Sequence, residues 1–127
     1  MSDAPNTWDV DEAIQIDLFV AHPVTNLGLT GQVGFITLSI SRASDGKYWT
    51  GAAWAIGFTT VLISEVDAAN RPGLYRYVLS ALANSQPDVY TAFATVNNPG
   101  VPISGQNSEV HRSRSAADVR IYEAEPA

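Results

Sequence analysis

Apolar side chains recur at every second residue along short segments of this chain, and at helical spacing for no more than a turn. Ile14, Ile16, Leu18 and Val20 share one parity, with Gln15 and Asp17 on the other. Tyr75, Tyr77 and Leu79 alternate around Arg76. Tyr90, Ala92, Ala94 and Val96 alternate with Thr91 and Thr95, which leaves Phe93 on the outward parity. Successive side chains of an extended chain point to opposite faces, so this pattern specifies strands buried on one side. Turn signals such as His22-Pro23, Asp45-Gly46, Asn70-Arg71-Pro72-Gly73 and Asn97-Asn98-Pro99-Gly100 separate the segments. Roughly seven short strands with turns every 8–12 residues or so predict an all-β fold, an Ig-like antiparallel β-sandwich. The one helical prospect is a single turn at Ala81-Leu82-Ala83-Asn84.

The 127 residues suit one domain. Residues 1–12 are polar and read as an N-terminal arm, residues 13–123 as the sandwich and residues 124–127 as a C-terminal tail. Within the sandwich, residues 97–117 read as a loop excursion, followed by a last short strand at Val119 and Ile121. A strand expected from Gln32 to Arg42 changes parity between Phe35 and Ile36, which calls for a bulge near Gly34. Another strand is expected from Thr60 to Asp67. Asp45-Gly46 should supply the positive φ angles of a hairpin turn, and Gly73 should take the positive φ of a turn started by Pro72. The expected core comprises Ile14, Ile16, Leu18, Ile36, Leu38, Ile40, Tyr75, Tyr77, Tyr90, Ala92 and Val119.

Composition removes several kinds of chemistry. With no cysteine, the chain has no disulfide, thiolate metal site or Cys nucleophile. A net charge of −6 argues against nucleic acid as a partner. No apolar run approaches the roughly 18 residues of a membrane span, and no basic, apolar leader opens the chain, so no membrane partner and no signal peptide are expected. Asp9-Val10-Asp11-Glu12 offers oxygen ligands of the kind calcium takes, but without EF-hand spacing, and a solvated acidic arm is the simpler reading. His22 and His111 are the only histidines; both read as exposed loop residues. There is no Gly-x-Ser-x-Gly elbow, so no catalytic residue, metal or cofactor is expected, and the chain reads as a non-enzyme. Gly28-Leu29-Thr30-Gly31 opens no helix and reads as a backbone corner rather than a phosphate loop. Trp8, Asp9, Asp11 and Glu12 are candidate partner-binding residues of the arm, with Trp8 as the anchor. Trp49 and Trp54 fill the core or seal its end or, alternatively, form with Tyr48 a platform for sugar rings.

Three motifs stand in order: Gly28-Leu29-Thr30-Gly31; Arg42 with Asp45-Gly46-Lys47-Tyr48-Trp49; and Glu65-Val66-Asp67 with Asn70-Arg71-Pro72-Gly73-Leu74-Tyr75. In this order, over roughly Ala13 to Val96, the chain resembles the small β-sandwich modules of tailed-bacteriophage virion proteins. The resemblance implies a structural component of the virion, in the tail, baseplate or fibre or as a capsid decoration. It would be made in the host cytoplasm and assemble with other virion proteins and copies of itself. The sugar platform would make host surface glycans the alternative partner.

Overall fold

A computed structural model describes residues 6–100 and 103–114. The described residues form nine strands: β1 (Thr7–Asp9), β2 (Ile14–Phe19), β3 (Ile36–Arg42), β4 (Tyr48–Trp49), β5 (Trp54–Ala55), β6 (Ser64–Asp67), β7 (Arg71–Leu79), β8 (Asp88–Asn98) and β9 (Ile103–Arg114). They form a six-stranded sheet in the order β1-β9-β8-β3-β4-β5 and a three-stranded sheet in the order β2-β7-β6. The fold is all-β, a sandwich of two sheets. Among the described residues the only helical pieces are single 3₁₀ turns at Val33–Phe35 and Ala81–Ala83, the second at the expected place.

The alternating residues face each other across the two layers. Ile14, Ile16, Ile36, Leu38, Ile40, Tyr75, Tyr90 and Ala92 are buried, and Leu18 and Tyr77 pack against them partly buried. Phe93 points outward, as its parity requires, and Val119 lies outside the described residues. The β6 side of the sandwich is closed by a segment that changes sheets. Val61 bridges Leu38 of the large sheet, and the chain then enters the small sheet as β6 only at Ser64, later than the expected start at Thr60. On the opposite side β2 is the last strand of the small sheet, and β9 and β1 extend the large sheet beyond β8.

Several local expectations are corrected. No bulge at Gly34 resets the third strand. Val33–Phe35 forms a 3₁₀ turn that leaves Phe35 exposed, and β3 starts in the new parity at Ile36. Residues 97–117 are not one loop. β8 runs on to Asn98, and β9 pairs with it antiparallel from Asn98↔Ile103 to Asp88↔Ser113. The arm is not free of the domain either, because β1 pairs parallel to β9 with Thr7 beside Arg112 and Asp9 beside Arg114. One pair in the sandwich is therefore parallel rather than antiparallel. Pro72 and Gly73 lie inside β7 instead of forming the turn. The turn is organised by Asp67, whose carboxylate accepts from the amides of Ala69 and Asn70 and from the Asn70 side chain.

At the β3–β4 turn only Gly46 has positive φ, at 69°. Asp45 instead receives the Arg42 guanidinium at 2.8 Å and the Lys47 amide at 3.1 Å. Gly46→Val should destabilise the domain by about 1–3 kcal/mol, because a β-branched residue resists this backbone region. A shift of the denaturation midpoint measures it, and an unchanged midpoint would remove the strain argument. The hydrogen bond from Arg42 holds the Asp45 carboxyl down at about 2. A depressed folded-state value means that the pair contributes above the ordinary carboxylate range and is lost as pH falls through that value. Carboxyl NMR titration should place the Asp45 midpoint at about 2, and Arg42→Gln should return it towards the ordinary range.

Candidate functional site

The groups with chemical potential gather around β9 and the open side of the sandwich. Strand register puts Asn107, Glu109, His111 and Ser113 opposite Ala94, Ala92, Tyr90 and Asp88. Ala92, Ala94 and Tyr90 are buried, so this row of β9 also faces inward. The inward face of β9 is therefore polar: Asn107 is exposed and Glu109 half-buried where the three-stranded sheet does not reach, whereas His111 and Ser113 are buried. Between β2 and this face runs a groove of about 320 Å³ bordered by Leu18, Phe19, Val20, Ala94, Val96 and Asn107. Phe19 is exposed at its mouth. A small cleft beside it brings Asp17 and Glu109 to the same wall, but Asp17 is occupied by Arg76 at 2.7 Å.

His111 is the main surprise. Expected on an exposed loop, it is 1% exposed on β9. Trp8 donates its indole N–H to His111 Nδ1 at 3.1 Å, and His111 Nε2 lies 3.1 Å from Glu109 Oε1. An Nδ1 that accepts from Trp8 leaves the ring proton on Nε2, which donates to the carboxylate. The resulting chain, Trp8–His111–Glu109, ties the first strand to the last. His22 is elsewhere, accepting from the Val24 and Thr25 amides in its own turn as a loop residue. The two histidines therefore serve separate local structures. No nucleophilic Ser or Thr hydroxyl is bonded to either imidazole among the described hydrogen bonds.

The acidic residues of the arm divide by atom. Their backbone is clamped to the domain. Buried Asn84 donates its side-chain amide to the carbonyls of Asp9 (2.8 Å) and Glu12 (2.9 Å), and its own carbonyl accepts from the Asp11 amide at 2.7 Å. Asp11 adopts a positive φ of 68° in this turn. The carboxylates stay on the surface, with Asp9 4.0 Å from the Arg114 guanidinium and Glu12 accepting from the Asp9 amide. Trp8, the expected anchor for a partner, is thus spent on its own domain. It packs against the core and bonds to His111. Among the described residues no three His, Asp or Glu side chains converge as metal ligands would.

The aromatic candidates are mostly interior. Trp49 is buried and donates to the Tyr77 hydroxyl at 3.0 Å. Trp54 donates to the Ala83 carbonyl at 3.0 Å, stacks on Tyr90 at 5.5 Å, and has the Arg42 guanidinium 4.8 Å from its ring centre. Both indole N–H groups are consumed within the fold, so these two rings act as core. Tyr48 is half-exposed and meets Phe58 edge-on. The three do not form an open stacking platform.

The residues that sequence reasoning missed are His111, Glu109 and Asn84. No apolar alternation marks β9, since both its faces are polar or exposed. The one available signal was the same-face spacing of Glu109, His111 and Ser113. Comparison with protein-family models, with curated proteins and with solved structures finds no match to this chain.

Proposed function

We propose that this chain is a non-enzymatic structural module of a tailed-phage virion, serving assembly in the tail, baseplate or fibre or as a capsid decoration. Its partners on this reading are other virion proteins and copies of itself. The observation that carries the proposal is the use made of the three motifs on which the resemblance rests. Their residues bond to one another and build the frame. Gly28 lies against Pro72 and Gly73. Tyr75 donates its hydroxyl to the Leu29 carbonyl at 2.7 Å and accepts the Gln32 amide at 2.9 Å. Glu65 accepts the Gly31 amide at 3.1 Å, and Arg42 grips Asp45. Motif residues that hold a scaffold together suit a protein that presents surfaces rather than performs chemistry.

The strand order supports an Ig-like reading of the sandwich. A sheet β9-β8-β3-β4-β5 facing β2-β7-β6 corresponds to the variable-type arrangement, with β1 added along β9. Tyr90, near the start of β8, sends its hydroxyl back to the Ala83 and Gln86 carbonyls at 3.4 Å, in the manner of a tyrosine corner. Burial pushes this hydroxyl up to about 12, so it remains a donor.

The exposed carboxylates of Asp9, Asp11 and Glu12 offer a basic neighbour a docking point, with Trp8 acting indirectly by holding the turn in place. Mass spectrometry of purified particles tests the proposal. Peptides of this chain should co-purify with the particles in constant ratio to a known structural protein. Their absence from complete particles would refute it.

A further inference from the structure

We infer that the Trp8–His111–Glu109 chain is a pH-operated latch, which frees β1 from β9 on acidification while the sandwich stays folded. This does not depend on the virion proposal.

Two bonds made by one buried imidazole carry the argument. Nδ1 of His111 accepts from the Trp8 indole, and Nε2 faces the Glu109 carboxylate. Imidazole is the side chain whose ordinary charge change falls between about pH 5 and pH 8. Once protonated, it has a proton on both nitrogens. The indole N–H, which can only donate, then confronts another donor and its bond is lost. The bond to Glu109 gains charge assistance at the same time. Protonation therefore exchanges the contact with the arm for a stronger contact within β9, so the imidazole keeps its seat and the arm is released.

The surroundings favour this exchange over general unfolding. From β8 the group opposite is Tyr90, a neutral phenol held by the Ala83 and Asn84 oxygens. From β2, Asp17 shares the cleft with Glu109 but is engaged by Arg76. From β1, Asp9 is exposed beside Arg114. Among the described residues Glu109 is thus the charged group bonded to the ring, and its carboxylate accepts from Nε2 whether or not Nδ1 carries a proton. β1 itself is three residues long and joins the domain through the Asp11 turn. Asn84 holds that turn by the Asp9 carbonyl and the Asp11 amide, so along β9 itself the short strand relies on its backbone pairing and on the Trp8 bond.

Amide hydrogen exchange of the full chain, followed by NMR at about pH 7.5 and about pH 5 and corrected for intrinsic rates, tests the latch. The reporters are the Val10 amide, bonded to the Arg114 carbonyl, and the Arg112 amide, bonded to the Asn6 carbonyl. Protection at both should fall by about tenfold or more at the lower pH, the scale of losing one bond and gaining a donor–donor conflict, while Leu38 and Ala92 keep theirs. His111→Asn places a non-titrating acceptor near Nδ1 and should leave the arm closed at both pH values. Trp8→Phe, which removes the indole N–H and keeps a ring against the core, should make protection at the two reporters the same at both pH values. Unchanged protection at the reporters, equal loss at the core amides, or acid release that persists in His111→Asn would each overturn the latch. Should that variant fail to fold, an acid-dependent fall of about tenfold that persists in Trp8→Phe would overturn it as well.

Discussion

Gly28→Ala should destabilise this domain severely, although it adds only one methyl group. A Cβ at position 28 would stand 1.9 Å from the Pro72 carbonyl oxygen and 2.6 Å from its carbon. Both are backbone atoms, so no rotamer change relieves the overlap. Gly73 faces the same junction at φ +92°, where its own Cβ would meet Gly28 Cα and the Val20 carbonyl at 2.7 Å. The corner at residues 28–31 and strand β7 must therefore separate. With them go the Tyr75 bonds to Leu29 and Gln32 and the Val20 amide bond to the Gly73 carbonyl at 2.8 Å. We expect a loss of at least ~3 kcal/mol, above the usual range for overpacking because the obstacle is main chain. Gly34→Ala is the control. Its Cβ would meet nothing within 4 Å and its φ is not positive, so its effect should stay within about 0.5 kcal/mol. Urea denaturation of the two variants measures the contrast, and similar midpoints would mean that the junction at Gly28 opens without cost.

Leu38→Ala should cost roughly 2–5 kcal/mol, the range for truncating a buried leucine in a core that relaxes only in part. Leu38 is 1% exposed in the middle of β3, opposite Ala94 and bridged on its other side to Val61. The neighbours cannot close the void easily. Ala94 and Ala92 are already small, Ile16 belongs to the other sheet, and Ile63 lies in the segment leading into it. A typical domain has only about 5–15 kcal/mol in total, so this one change consumes a large part of the stability. Thermal and chemical unfolding should both report it. A shift below 1 kcal/mol or so would mean that the sheets move together to fill the space.

Sequence alone determined the strands whose pattern carries a consequence of burial. Ile14 to Leu18, Ile36 to Ile40, Tyr75 to Leu79 and Tyr90 to Val96 each put their apolar residues on the core face and polar ones mostly on the other, and a one-residue slip would reverse them. The turn at Gly46 was legible for a similar reason, since few residue types satisfy that backbone. Tertiary structure decided everything that depends on what lies across the gap between sheets. Strand β9 has polar residues on its inward face, of which Asn107 and Glu109 reach water while His111 and Ser113 are buried, so no apolar alternation announced it. β1 adds to a sheet through backbone bonds that any side chain permits, so residues 7–9 looked like a loose arm. Gly73 occupies a positive φ, as its type allows, but its reason is the close approach of Gly28, 45 positions earlier. His111 and Trp8, 103 positions apart, become partners only when the two ends of the chain share a sheet edge. A local pattern records whether a side chain meets water or protein, whereas the identity of the protein group it meets is set by chain topology.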